Sequence, residues 1–111
     1  MSEDNQIIVP RSFIELYIPP GRIKPTAPRD EIAARYEFCE DLASMLTEHA
    51  QLKRWDLGIT EDDVLERMHR GLLAHDAPVT SPEAQWVVRR LAELLEWRAP
   101  EFPDKPAADA A

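Results

Sequence analysis

Apolar residues recur at steps of three and four through most of this chain, and each run stops at a proline, a glycine or a capping hydroxyl. The longest run is Ile32, Tyr36, Cys39, Leu42, Ala43, Leu46, His49 and Ala50, which predicts one stripe along a helix over 29–57. Pro28 suits its start, Asp30 and Glu31 complement the macrodipole in its first turn, and Gly58 suits a left-handed cap at its end. Phe38, Met45 and Leu52 repeat every seven residues along the flank, so this helix is expected to be covered on more than one side. At 1.5 Å per residue it would run roughly 40 Å, which leaves two outcomes: a break near Gln51, or an end that projects and pairs with a second copy.

Two shorter helices follow. Thr60-Glu-Asp-Asp63 reads as a capping box with the shorter Asp at its third position, and Ile59 with Val64 has the spacing of a hydrophobic staple. Val64, Leu65, Met68 and Leu72 form that helix's apolar face. The last helix opens at Thr80-Ser-Pro-Glu83 and carries Ala84, Val87, Val88, Leu91, Leu94 and Leu95 toward the core. Near the start, Ser12-Phe-Ile-Glu15 reads as a capping box for a short helix that Pro19, Pro20 and Gly21 stop, after an apolar arm at Ile7, Ile8 and Val9. Prolines 19, 20, 25 and 28 predict an extended connection into the long helix. The expected fold is all-α: three main helices in a small bundle, plus a short N-terminal helix and an extended proline-rich arm. Its domain organisation is a single helical domain over 7–97, with disordered ends at 1–6 and 98–111, in which Phe102 alone could dock.

Charge sharpens this picture. The chain carries 21 Asp and Glu against 13 Lys and Arg, a net charge of −8. Residues 1–29 sum to +1, whereas 30–59, 60–79 and 80–111 sum to −4, −3 and −2, so the negative charge lies on the helical body. That disfavours duplex DNA or an anionic membrane as partner, since both demand clustered positive charge. No apolar run approaches the roughly 20 residues that span a bilayer. The polar, acidic start and the single cysteine predict a cytoplasmic protein.

Chemistry is sparse. Gly21, Gly58 and Gly71 stand far apart and none precedes Lys-Ser or Lys-Thr, so no phosphate-cradling loop is present and no cofactor site is expected. Glu66 and His69 have the i, i+3 spacing of a carboxylate–imidazole metal pair, but no second such pair accompanies them, and a solvated Glu66 beside a His69 flanking the core explains them as well. Cys39 lies on the long helix's stripe as a small core residue, and His49 reads as a partly buried, hydrogen-bonded histidine. Arg22-Ile-Lys-Pro25-Thr-Ala-Pro28 matches an Arg-x-x-Pro-x-x-Pro docking pattern with Arg22 as charged anchor, or else a braced linker. On the last helix Trp86, Arg90, Glu93 and Trp97 fall within about 60° of one another, which suits either a partner surface or the cover of a thin core. Within that set, Trp86 to Arg90 permits a cation–π contact and Arg90 to Glu93 an ion pair.

The stretch Phe13-Ile-Glu-Leu-Tyr-Ile-Pro-Pro-Gly-Arg-Ile-Lys-Pro-Thr-Ala-Pro28, with Ile59-Thr-Glu-Asp-Asp-Val-Leu-Glu-Arg67 and Trp86-Val-Val-Arg-Arg-Leu-Ala-Glu-Leu-Leu-Glu-Trp97, resembles a family of small uncharacterised bacterial proteins. The similarity covers roughly residues 7–97 and implies a bacterial cytosolic source. Members sometimes carry the label "ATPase with chaperone activity". The missing phosphate loop leaves the ATPase half without residues here, and the chaperone half points to a role with protein partners.

Three functional readings follow, in this order. The first is a non-enzymatic interaction or regulatory module with an unidentified protein partner of basic character or a second copy of itself, acting through Trp86, Arg90, Glu93, Trp97 and Arg22. The second is a helix-turn-helix-like nucleic-acid binder using Arg89 and Arg90, although the connection between its two helices exceeds that motif's three or four residues. The third is a metal protein or enzyme through Glu66 and His69.

Overall fold

A computed structural model of the chain describes residues 7–102. Of the ends expected to be disordered, 1–6 and 98–111, residues 1–6 and 103–111 lie outside the described residues.

The described residues form an all-α bundle with no strand among them. Helix α1 spans Arg11–Ile14 and continues into a 3-10 turn at Glu15–Tyr17. Its start differs from the expected capping box. Pro10 is the N-cap residue, its carbonyl accepting from the N–H groups of Phe13 and Ile14 at 3.0 and 3.1 Å. Ser12 therefore lies inside the first turn, where its hydroxyl accepts the indole N–H of Trp86 at 3.0 Å. A buried donor left unpaired costs about 1–3 kcal/mol, against about 1 kcal/mol for a lost cap, so the long-range bond takes the hydroxyl. Glu15 turns to Arg11 instead, at 3.1 Å.

The connection after Tyr17 is looped rather than extended. Arg22 N–H donates to the Pro19 carbonyl at 3.0 Å, with Gly21 at φ 78°, so Pro20-Gly21 occupies the centre of a type II turn. The Thr26 N–H and hydroxyl then both return to the Tyr17 carbonyl, at 2.7 and 3.1 Å. The positive φ that only glycine adopts freely reverses a segment its prolines would otherwise extend. Ahead of α1, Val9 packs on the body as expected of the arm, while Ile8 is exposed.

Helix α2 runs unbroken over Arg29–Leu57, past Gln51, and ends as expected with Gly58 left-handed and its N–H on the Arg54 carbonyl. Helix α3 spans Glu61–Leu72, its start capped by the Thr60 hydroxyl on the Asp63 N–H. Helix α4 spans Ser81–Leu95 behind a reciprocal capping box of Thr80 and Glu83. It closes on Glu96 at φ 60°, with the Trp97 N–H on the Ala92 carbonyl at 2.9 Å, a Schellman ending without glycine.

Helix α4 is the spine of the core. Val88, Leu91 and Ala92 meet Ala50 of α2 and Val64, Leu65 and Met68 of α3, with Ile59 packed alongside, while Trp86 and Val87 meet Phe13 of α1 and Ile32, Cys39 and Ala43 of α2. The segment after Trp97, in which Phe102 alone could dock, is held at Arg98 as well as at Phe102. Arg98 pairs with Asp62 at 2.8 Å, and the Phe102 ring sits 4.5 Å from that of His69 and 4.7 Å beneath the Arg89 guanidinium. A ring that finds both an apolar edge and a cation gains enough to order the few residues leading to it.

Two expectations about α2 fail. His49 is exposed rather than partly buried. The flank that was to be covered is open: Phe38 is 38% exposed, Met45 72% and Leu52 54%. The bundle has too few helices to enclose α2, and α3 and α4 both take its other face.

Candidate functional site

Among the described residues Glu83 is the buried charged side chain. Its capping role places it at the start of α4, and burial there demands that every oxygen lone pair be met. Oε1 accepts the Thr80 N–H at 2.9 Å and Arg35 Nη2 at 2.7 Å, while Oε2 accepts Arg35 Nε at 3.0 Å and the Tyr17 hydroxyl. Arg35 Nη2 also donates to the Pro78 carbonyl at 2.9 Å. One carboxylate thus ties the 3-10 turn, α2, the 73–80 loop and α4 together.

Burial alone would push this carboxyl up. The hydrogen bonds from Arg35, Tyr17 and Thr80, with the charge of Arg35, outweigh it and lower the pKa from 4.5 to about 2. Burial first, then the bond to Glu83, pushes the Tyr17 phenol up, and the bond to Glu83 raises Arg35 despite the opposing cost of burial. Near neutral pH none of the three exchanges a proton, so the cluster acts as a clamp rather than as an acid–base centre. Beside it the Cys39 thiol is pushed up to about 12, by burial and then by the Glu83 charge, and stays protonated as a core residue.

The four residues expected to share a face on α4 separate in space. Trp86 is 8% exposed and lies at the centre of an aromatic group, 5.1 Å from Phe13 and 5.8 Å from Tyr36, both edge-on. It is a core residue. Arg90 meets Glu93 at 2.8 Å as the spacing predicts, but its guanidinium turns from Trp86 to a bidentate pair with Glu40 of α2, at 2.9–3.1 Å. An ion pair with two parallel hydrogen bonds outweighs a cation–π contact worth about 1 kcal/mol. Glu93 is exposed, and Trp97 is half-buried against the far cluster with the Arg54 guanidinium 6.0 Å from its ring. Arg22 is exposed at the end of the type II turn, and its motif is folded back where a receptor would read it extended.

Glu66 pairs with Arg70 at 3.1 Å, and the His69 ring lies tilted against that of Phe102. No group of three or more His, Cys, Asp or Glu placed to hold a metal exists among the described residues. Arg89 and Arg90, the two side chains of the nucleic-acid reading, are engaged with Phe102 and Glu40. Among the described residues no helix is long and apolar enough to cross a membrane.

The outer face of α2 remains. The buried residues Ile32, Cys39, Ala43 and Ala50 mark its inner face, and Phe38, Met45 and Leu52 lie about 140° around the helix from them. Trp55, 84% exposed, stands near the end of the helix one turn beyond Leu52, about 60° around toward the side of Asp41 and Glu48. Helices apolar on two sides are ordinarily buried on both. The seven-residue recurrence carried this signal in the sequence, though not the fact that the other described residues leave it exposed.

Comparison with family models, with curated proteins and with solved structures finds no match to this chain.

Proposed function

We propose that this chain is a non-enzymatic protein–protein interaction module whose docking surface is the outer face of α2, at Phe38, Met45, Leu52 and Trp55. The observation that carries the reading is the second apolar stripe, lying on a helix already buried on its other side. Solvent-exposed rows of large apolar residues lower solubility and mark interaction sites when they are contiguous. The site thereby moves from α4, where Trp86 is spent on the core, to α2. The acidic helical body supports a basic partner, and the single cysteine, Cys39, suits the bacterial cytoplasm that the sequence resemblance implies.

The test is photo-crosslinking in the cells the protein comes from, with benzoylphenylalanine in place of Met45 or Leu52 and, as control, in place of the exposed Arg67 on α3. Discrete adducts at 45 and 52 but not at 67 support the module. No adduct at any position, or the same adducts at all three, refutes it.

A further inference from the structure

We infer that the occupant of the α2 stripe is a basic amphipathic helix from another protein, an inference that rests on the reading just given and adds the chemistry of the partner. Phe38 to Trp55 spans about 25 Å at 1.5 Å per residue, which a partner helix of roughly 17 residues would match. Such a helix docks by its own apolar face, with anchors at i, i+3 or i+4 and i+7. One border of the stripe is acidic: Glu37, Asp41 and Glu48 lie about 60° around from it, all exposed, and Asp56 stands at its end. On the other border Lys53 is partly covered, and Arg35, which lies over the Phe38 ring, has its charge engaged by Glu83. The stripe runs toward the C-terminal end of α2, where the macrodipole favours cations, and Trp55 offers an open ring face for a Lys or Arg.

Charge also argues against a second copy. In an antiparallel pair about a two-fold axis at Met45, the acidic border of one copy lies along the same border of the other. Asp41 then faces Glu48 across the seam, and the like net charge of −8 on the two chains adds a salt-screened repulsion.

The experiment uses the full chain and two 18-residue amphipathic peptides, one of Leu and Lys and one of Leu and Glu, labelled for fluorescence anisotropy. Saturable binding of the Leu/Lys peptide alone is expected. The double variant Met45→Glu, Leu52→Glu should weaken it by about tenfold or more, although it makes the protein more acidic. Asp41→Lys with Glu48→Lys should weaken it comparably. A neutral pair, Met45→Gln with Leu52→Gln, guards against loss of helix, and circular dichroism reports folding of each variant.

If the glutamate variant binds as well as wild type, the attraction is Coulombic without the stripe and the inference falls. If the Leu/Glu peptide binds equally, the partner's charge is wrong, while the docking surface stands. A dimer of the protein alone by sedimentation, dissolved by Met45→Glu, makes the occupant a second copy and likewise overturns the inference but not the surface. Only failure of the crosslinking at 45 and 52 removes the surface itself.

Discussion

Arg35 grips Glu83 with two nitrogens, Nη2 on Oε1 at 2.7 Å and Nε on Oε2 at 3.0 Å, across 48 residues of sequence. The pair joins the N-terminal third of α2 to the first turn of α4. It fixes the crossing of α2 and α4. Arg35 also lies 5.0 Å over the Phe38 ring, so the same clamp holds the first residue of the outer stripe.

Removing the carboxylate charge therefore unfolds more than a cap. Glu83→Gln leaves the Arg35 guanidinium and the Tyr17 hydroxyl short of their acceptor, and should cost about 3 kcal/mol, at the low end for a broken buried pair because Arg35 is partly solvated. Urea unfolding reads this as a lower midpoint at unchanged slope. A loss below about 1 kcal/mol would mean that water replaces the clamp.

The same group sets the acid limb of stability. The Glu83 pKa is lowered in the folded state, so its contribution is complete above about 4.5 and disappears as pH falls toward about 2. Midpoints measured from pH 6 downward should fall through this window in the wild type. In Glu83→Gln the fall should be shallower.

Trp86 should behave as core. Trp86→Ala is expected to cost about 3–5 kcal/mol and to melt the domain, whereas Ser12→Ala, which strands the indole N–H, should cost about 1–2 kcal/mol. Thermal melts of the two variants check both. A stable, fully folded Trp86→Ala protein would contradict the aromatic packing.

Glu96 occupies a left-handed conformation at φ 60° that glycine adopts without strain. Glu96→Gly should stabilise the protein by about 0.5–1 kcal/mol, read as a higher midpoint in urea.

Cys39 should resist a thiol reagent in the folded protein and react at the rate of a free cysteine in urea, since burial keeps it protonated. Equal rates in both would place it outside the core.

What the sequence alone determined is what lies within a few residues along the chain. The Thr60 and Thr80 caps, the Gly58 ending of α2 and the inner faces of α2, α3 and α4, apart from His49 and Leu94, which are exposed, follow from hydroxyls, glycines and periodicity acting over one or two turns. Their energies are local, so their signals are local too.

Tertiary structure decided which of several satisfied local options each residue takes. Ser12 offered a cap and was claimed by Trp86, 74 residues away; Glu83 offered a cap and also received Arg35 and Tyr17; Arg90 chose Glu40 over Trp86. Buried polar groups settle such contests, because leaving one unpaired costs more than any single local preference returns. The outer stripe of α2 follows the same logic. Periodicity marked Phe38, Met45 and Leu52 as apolar, and only the placement of α3 and α4 on one side of α2 left them facing outward.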